Sequence, residues 1–444
     1  MSSLADRLRG VMAGNVLKEN VGRPLSGPPG ASDPGVPAAP APWGGVERRT
    51  DIEDAAQLLG GEWGERHGHR FLVIDRKYPP GHRHGQITLA DTLPPEDGCW
   101  PRFPILNGPA APSRRGRMLF IDLETTGLAG GAGTYAFLVG CAWYQDGGLR
   151  VRQFFLSSFS AERALLEAVA ETADSCGAVV TYNGKSFDLP LMETRFVLHR
   201  LETPFAGVAH VDMLHHARRL WRREDPAGDG GCGLGALEES LCGHVREGDV
   251  PGFQIPARYF HFVRSGDARG LAAVMEHNRL DLVSLAMVTA RAAQLLDDGP
   301  PAARTAREAL GMGRLYERGG MTIEARAAFL RAAEHRDADT LTCAEAWRAY
   351  AVLSRRQRRF ADAAAGWRQI LDLRRCPPAI LREASEALAV HHEHRLRDLQ
   401  AARAFALQTL HLNATRSRHQ AAQHRLARLD RKLGDTGAVA VPLF

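Results

Sequence analysis

Two acidic residues lie two positions apart in an apolar segment: Asp122 and Glu124, within MLFIDLETTG at residues 118–127. The apolar residues around them predict a β-strand, and alternation along a strand places both carboxylates on the same face. Neighbouring carboxylates at the end of a buried strand repel each other. A divalent ion that prefers hard oxygen ligands, Mg²⁺ or Mn²⁺, would remove that repulsion. The pair alone is a weak signal because many exposed strands carry two acids.

Two later segments carry further residues of the same chemistry. Asp188 follows a short strand and a turn and opens a helix, where alone it would be an ordinary helix cap. His277 and Asp281 are four residues apart in a helical pattern and share a face, where alone they would be a surface pair. Together, the segments D-x-E, N-x-x-x-F-D and H-x-x-x-D occur in the order that one type of nuclease requires.

These segments resemble the DEDD superfamily of 3′–5′ exonucleases, which have a ribonuclease H-like fold, and more closely the YprB-type ribonuclease H-like domain family. The resemblance covers about residues 116–297 and rests on blocks that occur in order. The blocks are IDLETTGL at 121–128, GAGTYAFLVG at 131–140, YNGKSFDLP at 182–190, VDMLHHARRLW at 211–221, CGLGALE at 232–238, DVPGFQIPARY at 249–259 and HNRLDLVSL at 277–285. One departure concerns the last segment. Enzymes of the superfamily usually end in Tyr-x-x-x-Asp or His-x-x-x-x-Asp, whereas His277 and Asp281 combine the histidine with the shorter spacing of the tyrosine type. The resemblance therefore implies the metal ligands more directly than the general base.

The resemblance implies hydrolysis of phosphodiester bonds in DNA or RNA with two divalent ions, Mg²⁺ or Mn²⁺, about 4 Å apart. Asp122, Glu124 and Asp281 would bind one ion directly. Asp122 would also bridge to the second ion, which Asp188 would hold through water. His277 would take a proton from the attacking water, because histidine titrates near neutral pH.

The residues expected near the terminal nucleotide are Thr125, Asn183 and Phe187. Two alternatives stay open at this point. One is a nucleic-acid-binding or scaffold protein with an inactive ribonuclease H-like fold, and the other is a structure-selective endonuclease, since such folds host both modes of cleavage. Acids at all four positions favour an active enzyme.

The surrounding pattern predicts an α/β domain with a mixed sheet. Strands are predicted at about 117–124, 134–144, 149–156, 178–183 and 208–212, with helices at about 160–173 and 190–201. The turn Gln-Asp-Gly-Gly predicts that the second and third strands form a hairpin. Three antiparallel strands followed by alternating helices and strands give a mixed sheet with helices on both faces. The glycine-rich segment 127–133 opens no helix, so we interpret it as a flexible turn and not as a phosphate loop.

The length of 444 residues predicts several domains. Residues 1–50 are predicted to be mostly disordered, and residues 51–115 to form an extension, with a helix near 52–60 and a strand near 70–76, that packs on the nuclease domain at 116–297. Residues 302–435 are predicted to form a separate all-α unit. The seven cysteines form no C-x-x-C pair, and no apolar run of about 18 residues or signal-peptide core occurs, so we expect reduced thiols in a cytoplasmic protein without a membrane span.

Histidines cluster in the extension. They could form a zinc site, but because no fourth ligand is clear we favour a polar extension that packs on the nuclease domain. These residues are His67, His69, His82 and His84.

The C-terminal third has an internal period of 38 residues, seen in Ala325, Ala363 and Ala401 and again in Phe329, Trp367 and Phe405. This pattern resembles tetratricopeptide-type repeats, with an irregular helical bundle as the alternative. Residues 301–444 carry a net charge of +10, whereas residues 1–300 carry −5. The excess of arginine would suit the binding of a nucleic acid, or the arginines would simply lie on solvent-exposed helix faces. The repeats could also bind a protein partner.

Overall fold

The computed structural model describes residues 55–95, 100–107, 116–127, 133–222, 231–412 and 416–437. They all belong to a compact unit that spans Glu47–Phe444. The predictions for residues 1–50, for Cys99 and for residues 128–132 of the glycine-rich turn lie outside the described residues. The described cysteines are free, and the cytoplasmic location stays a prediction. Among the described helices, none combines the length and the apolar character that a membrane span needs.

Nine strands occur in the described residues, and seven of them form one sheet. The strands are β1 Glu62–Arg66, β2 His69–Tyr78, β3 Arg83–His84, β4 Ile87–Thr88, β5 Arg117–Thr125, β6 Ala136–Gln145, β7 Gly148–Phe155, β8 Cys176–Thr181 and β9 Ala209–Asp212. The sheet has the order β1-β2-β7-β6-β5-β8-β9, and β3 pairs with β4 in a separate hairpin. β5 pairs antiparallel with β6 and parallel with β8, which confirms the predicted mixed sheet.

The N-terminal extension joins this sheet directly. β2 pairs antiparallel with β7, and β1 follows β2 at the edge of the sheet. The sequence predicted a strand near residues 70–76 but not its place in the sheet.

Helices cover both faces of the sheet and make up the C-terminal region. They are α1 55–59, α2 Pro104–Asn107, α3 Glu162–Ala173, α4 Asp188–Leu198, α5 Met213–Leu220, α6 Leu234–Leu237, α7 Ile255–Ser265, α8 Ala272–Asp298, α9 Ala306–Arg318, α10 Thr322–Ala333, α11 Thr340–Arg356, α12 Phe360–Leu371, α13 Pro378–His391, α14 Leu399–His411 and α15 Arg416–Gly437. From α9 to α15, each helix packs against the next one along the chain.

The central strand β5 is buried on both faces, as its continuous apolar sequence requires. Its odd-numbered residues Leu119 and Ile121 pack in the core that includes α3 and α7. Its even-numbered residues Met118 and Phe120 pack in the core that includes α8. The same alternation directs Asp122 and Glu124 towards the α8 side of the sheet.

The C-terminal helices share this second core. It runs from Phe120 in β5 through Leu282 in α8 to Leu310, Phe329 and Leu353 in the helices that follow. The predicted boundary near residue 300 stays a prediction, and it falls inside a continuous apolar core.

The repeat pattern holds in part. Ala325, Phe329, Ala363 and Trp367 are buried, as a 38-residue period requires. In the third unit the buried positions are instead Ala402 and Ala406, next to the positions that the period specifies. The helical architecture is therefore observed, whereas the tetratricopeptide class stays a prediction.

Candidate active site

The candidate site lies where the end of β5 faces α8. The Asn278 Nδ2 atom donates a hydrogen bond to Asp122 Oδ2 at 2.7 Å and also lies 3.2 Å from the Asp122 carbonyl oxygen. This contact fixes one predicted metal ligand against the helix that carries His277 and Asp281. Asn278 is completely buried, and the sequence analysis assigned it no role.

A glycine makes this close approach of helix and sheet possible. Gly140 in β6 pairs with Asp122 in β5, and a Cβ atom there would lie 2.3 Å from Asn278 Oδ1 and 2.7 Å from Leu282 Cδ1. The buried Gln153 side chain donates to Asn278 Oδ1 at 2.8 Å. A glycine in the middle of an apolar strand was the available sequence signal for this packing.

Asp188 enters the site from a turn that a second buried acid holds. Asn183 in that turn has a left-handed φ of 65°, and its backbone N–H donates to Asp212 Oδ1 at 2.8 Å. The backbone N–H of Lys185 donates to Asp212 Oδ2 at 3.1 Å. Asp188 follows as the first residue of α4, and its side chain is buried. Asp212 lies in the block VDMLHHARRLW, but its structural role was not predicted.

His277 lies between an acid that orients it and two predicted metal ligands. Its Nδ1 atom is 2.7 Å from Asp249 Oδ1. Its Nε2 atom is 3.6 Å from Asp281 Oδ2 and 4.0 Å from Glu124 Oε1. A carboxylate on Nδ1 fixes the ring and its tautomer, leaving Nε2 as the basic nitrogen. The structure thus brings the predicted residues together and adds Asp249, which begins the block DVPGFQIPARY.

Arg246 neutralises part of the acidic cluster. Its guanidinium donates to Asp281 Oδ1 at 2.6 Å, to Glu238 Oε2 at 2.6 Å and to Asp249 Oδ2 at 3.1 Å. Sequence reasoning gave no role to Arg246, which lies 35 residues before Asp281.

Burial and like charge make these acids hard to ionise. Burial, followed by the charges of Asp281 and Asp188, raises the pKa of Glu124 to about 8. Burial also raises the pKa of Asp188 to about 7, with the charge of Asp212 adding to the effect and backbone hydrogen bonds opposing it. The pKa of Asp122 is raised for the same reasons, by burial and then by its acidic neighbours.

The pKa of Asp281 is raised by burial although Arg246 and His277 oppose the shift. A largely buried group of oxygen ligands with shared negative charge, in which Asp188 is buried and the other three acids are half-buried, fits a hard divalent ion, which would relieve the repulsion. Within the part of the chain that the structure describes, these four acids do not bring three ligand atoms within 4.8 Å of one another.

The predicted substrate-binding residues lie beside the acids along the chain. Thr125 is buried, and its Oγ1 atom donates to the Gly127 carbonyl oxygen at 3.0 Å. Asn183 is exposed in the turn before α4, and the half-buried Phe187 directly precedes Asp188. Their contact with a nucleotide stays a prediction.

The histidines of the extension do not form one cluster among the described residues. His67 pairs with Glu167 at 3.0 Å, His82 packs against the ring of Tyr78, and His69 is exposed. His84 is buried and contacts residues from a distant part of the sequence.

Comparisons with known proteins agree with this architecture. Residues 119–293 match the sequence model of a family described as the RNase_H superfamily. This match supports a ribonuclease H-like class for the domain that contains the site.

Over 216 residues the chain is 35% identical to a protein of Bacillus subtilis (strain 168) named "Uncharacterized protein YprB", and the match covers 48% of this chain and 51% of that protein. The chain thus spans about half the length of this curated relative. The family B DNA polymerase from the hyperthermophilic archaeon Pyrobaculum calidifontis superposes with a TM-score of 0.34 and 13% identity, over 51% of this chain and 30% of the polymerase. That likeness is too distant to carry an argument.

Proposed function

We propose that this protein is a metal-dependent nuclease that hydrolyses phosphodiester bonds and removes nucleotides from a 3′ end. The observation that carries the proposal is the group of carboxylates beside His277, in which Asp188 is buried and Asp122, Glu124 and Asp281 are half-buried. The His277 ring is held by Asp249, with 2.7 Å between Nδ1 and Oδ1. Buried acids with raised pKa values are costly to a fold, and they occur where a functional site needs them.

The acids would hold the ions as the resemblance implies. Asp122, Glu124 and Asp281 would bind one Mg²⁺ or Mn²⁺ ion, and Asp188 would join Asp122 at a second. Bound in this way, the ions supply stabilisation of the attacking and leaving oxygens of the phosphodiester. Asn278 keeps Asp122 in place through the 2.7 Å hydrogen bond, so its carboxylate needs little rearrangement.

His277 would act as the general base. Asp249 accepts the Nδ1 hydrogen of His277, and the unprotonated Nε2 atom then faces the acids. A proton from the attacking water would transfer to Nε2, and the charge of Asp249 would stabilise the resulting imidazolium. Arg246 would hold Asp249 and Asp281 in place by donating to both carboxylates.

The direct test incubates the full-length protein with 5′-labelled single- and double-stranded DNA and RNA, with Mg²⁺, Mn²⁺ or EDTA. We expect a ladder of shortened products that needs the divalent ion. A 3′-terminal phosphate on the same strands should slow the first cut. A discrete product would instead indicate a structure-selective endonuclease, and no cleavage of any substrate would indicate a binding or scaffold protein.

The C-terminal helices would contribute contacts to the nucleic acid. The net charge of +10 over residues 301–444 supports this role. Salt bridges such as Arg348–Glu383, at 2.6 Å, already pair some of these arginines with acids. Exposed arginines remain at Arg355, Arg374 and Arg375. Replacing these three by glutamine in the full chain should reduce the slope of log affinity against log salt by up to about 3, because fewer phosphate contacts release fewer counterions. An unchanged slope would favour a protein partner for these helices.

A further inference from the structure

Three potential metal ligands from two segments of the chain converge beside the active site. His84 lies in the hairpin β3–β4, Glu238 begins a π-helical turn at Glu238–Cys242, and His244 follows that turn. Their ligand atoms all lie within 4.8 Å of one another. Within the described residues, no other three histidine, cysteine, aspartate or glutamate side chains come this close. Turns of π-helix, such as Glu238–Cys242, are rare and often occur at functional sites.

The distances within this group are short. His84 Nε2 lies 2.6 Å from Glu238 Oε1, and His244 Nε2 lies 3.8 Å from the same oxygen. The two imidazole rings stack with their centroids 4.2 Å apart and an angle of 19° between their planes. Both histidines therefore direct a nitrogen at one carboxylate oxygen.

The two carboxylate oxygens of Glu238 have different partners. Its Oε2 atom accepts a hydrogen bond from Arg246 Nε at 2.6 Å. Its Oε1 atom is buried and lies 2.6 Å from His84 Nε2, which also lies 3.2 Å from the Ser284 hydroxyl oxygen. The side chain is fully buried, so an oxygen that water does not reach faces the two imidazoles. A carboxylate that an arginine fixes through one oxygen, while its other oxygen faces two imidazoles, has the arrangement of a monodentate metal ligand.

His244 can present a neutral nitrogen. Burial, together with the charge of neighbouring His84, lowers the pKa of His244. Neutral imidazole is the form that binds a metal.

We propose that His84, Glu238 and His244 form a binding site for a first-row transition-metal ion, for which Zn²⁺ is the best fit, separate from the ions of the catalytic acids. Two imidazoles and one carboxylate are a common ligand set for zinc, whereas Mg²⁺ prefers oxygen ligands alone. A tetrahedral site with bonds of 2.0–2.1 Å separates its ligand atoms by about 3.3 Å. The 2.6 Å contact would open and the 3.8 Å contact would close, each by less than about 1 Å. Water would complete the coordination.

The position of the site gives it a structural role. Gln86 in the hairpin donates its backbone N–H to the Cys242 carbonyl oxygen at 2.7 Å, and a Cβ atom at Gly85 would lie 2.3 Å from that oxygen. The ion would fasten this hairpin to the π-helical turn. It would also fix Glu238, whose other oxygen holds Arg246 against Asp281.

The test measures the metal content of full-length, tag-free protein that is stripped with a chelator, loaded with Zn²⁺ and dialysed against excess Mg²⁺. We expect one retained Zn²⁺ per chain in the wild type and in Asp122→Asn, because the catalytic acids do not belong to this site. His244→Ala should lower Zn²⁺ affinity by at least about 100-fold, since even residues that only hydrogen-bond to a metal ligand are worth about 10–100-fold. His261→Ala is the matched control, because that exposed histidine also lies beside an acid, Asp267, at 4.0 Å.

A second readout guards against a folding defect. Co²⁺ in place of Zn²⁺ should give a visible absorption band of a four-coordinate site in the wild type and Asp122→Asn, which His244→Ala lacks at an unchanged circular dichroism spectrum. Two results would overturn the proposal: wild type that retains no Zn²⁺, or His244→Ala that retains as much Zn²⁺ as the wild type. In either case the three residues form a buried hydrogen-bonded pair and a stacked ring only.

Discussion

At the scale of single residues, the candidate active site concentrates negative charge on half-buried carboxylates that water screens only in part. The sequence predicted Asp122, Glu124, Asp188, His277 and Asp281 because their types and spacing are local patterns. It could not predict the side chains that orient them, since those contacts join distant segments.

Asn278 is the clearest example of such a contact. It directly follows His277 in the sequence, but only the packing of α8 on the sheet brings it to Asp122. Asp249 likewise reaches His277 across 28 residues of chain.

The raised pKa values give a first prediction, on stability. Glu124 has a pKa of about 8 in the folded protein against about 4.3 in the unfolded chain. Between these values the folded state binds more protons, so this group makes the free energy of unfolding fall as pH rises. We expect Glu124→Gln to flatten the decline in melting temperature of metal-free protein between pH 5 and pH 8. Mg²⁺ should stabilise the wild type more at pH 8 than at pH 5.5.

Melting curves at both pH values, with and without Mg²⁺, check this expectation. A Glu124→Gln variant whose pH dependence matches that of the wild type would show that Glu124 ionises freely in the fold.

The second prediction concerns the general base. His277→Ala should lower the cleavage rate by about 10²–10⁴, and Asp249→Asn should lower it by less, because the imidazole remains but loses its orienting charge. Metal affinity should stay close to that of the wild type in both variants. Single-turnover rates and calorimetric titration with Mn²⁺ measure the two effects separately.

Asp267→Asn is the control, since that acid lies beside His261 and away from the site. A collapse of Mn²⁺ affinity in His277→Ala would make this histidine a metal ligand, and unchanged rates in both variants would leave water activation to the ions alone.

At the scale of secondary-structure elements, the site depends on the packing of one helix against one strand. Alternation along β5 was predictable from the sequence, and it correctly placed Asp122 and Glu124 on one face. The position of α8 on that face was not predicted, because Gly140 signals a close approach to its strand but does not show which distant segment approaches. The pairing of β2 with β7 was also missed, since pairing between strands far apart in the sequence leaves no local pattern.

Gly140 gives the third prediction. A methyl group in Gly140→Ala would contact Asn278 Oδ1 at 2.3 Å, so α8 must move away from β5. We expect the free energy of unfolding to fall by about 1–3 kcal/mol. Cleavage should fall further than the lost stability explains, because Asp122 loses its hydrogen bond to Asn278. Chemical denaturation and cleavage rates measured well below the melting temperature test the two parts.

Gly235→Ala is the matched control, because a Cβ atom at that helical position meets nothing within 4 Å. A Gly140→Ala variant with the stability and rate of the control would show that the helix tolerates the shift.

At the scale of the whole molecule, the sheet and the C-terminal helices share one apolar core. The Tyr316 hydroxyl donates to the Leu296 carbonyl oxygen at 2.6 Å, and Trp221 Nε1 donates to Glu308 Oε1 at 2.9 Å. A Cβ atom at Gly311 would lie 2.3 Å from the Arg219 carbonyl oxygen, so α9 and α5 approach closely. The period of 38 residues predicted stacked helices, but it could not show what the first of them covers.

Removal of the C-terminal helices is therefore the fourth prediction. A protein that ends at residue 298 would expose the part of α8 around Leu295 and Leu296, which are fully buried in the complete chain. We expect it to aggregate or to melt at a lower temperature than the full-length protein. A soluble fragment that keeps the full-length melting temperature and cleaves a short oligonucleotide would instead establish an independent domain boundary near residue 300.

The most direct measurement of the central claim compares Asp122→Asn with Asp146→Asn on the best labelled substrate in Mn²⁺. Both substitutions remove one carboxylate from the sheet domain, but Asp146 lies exposed in the turn between β6 and β7 with a φ of 52° that asparagine adopts readily. We expect Asp122→Asn to abolish cleavage with its fold intact and Asp146→Asn to cleave at the rate of the wild type. Cleavage by Asp122→Asn at the wild-type rate would contradict the assignment of hydrolysis to this site.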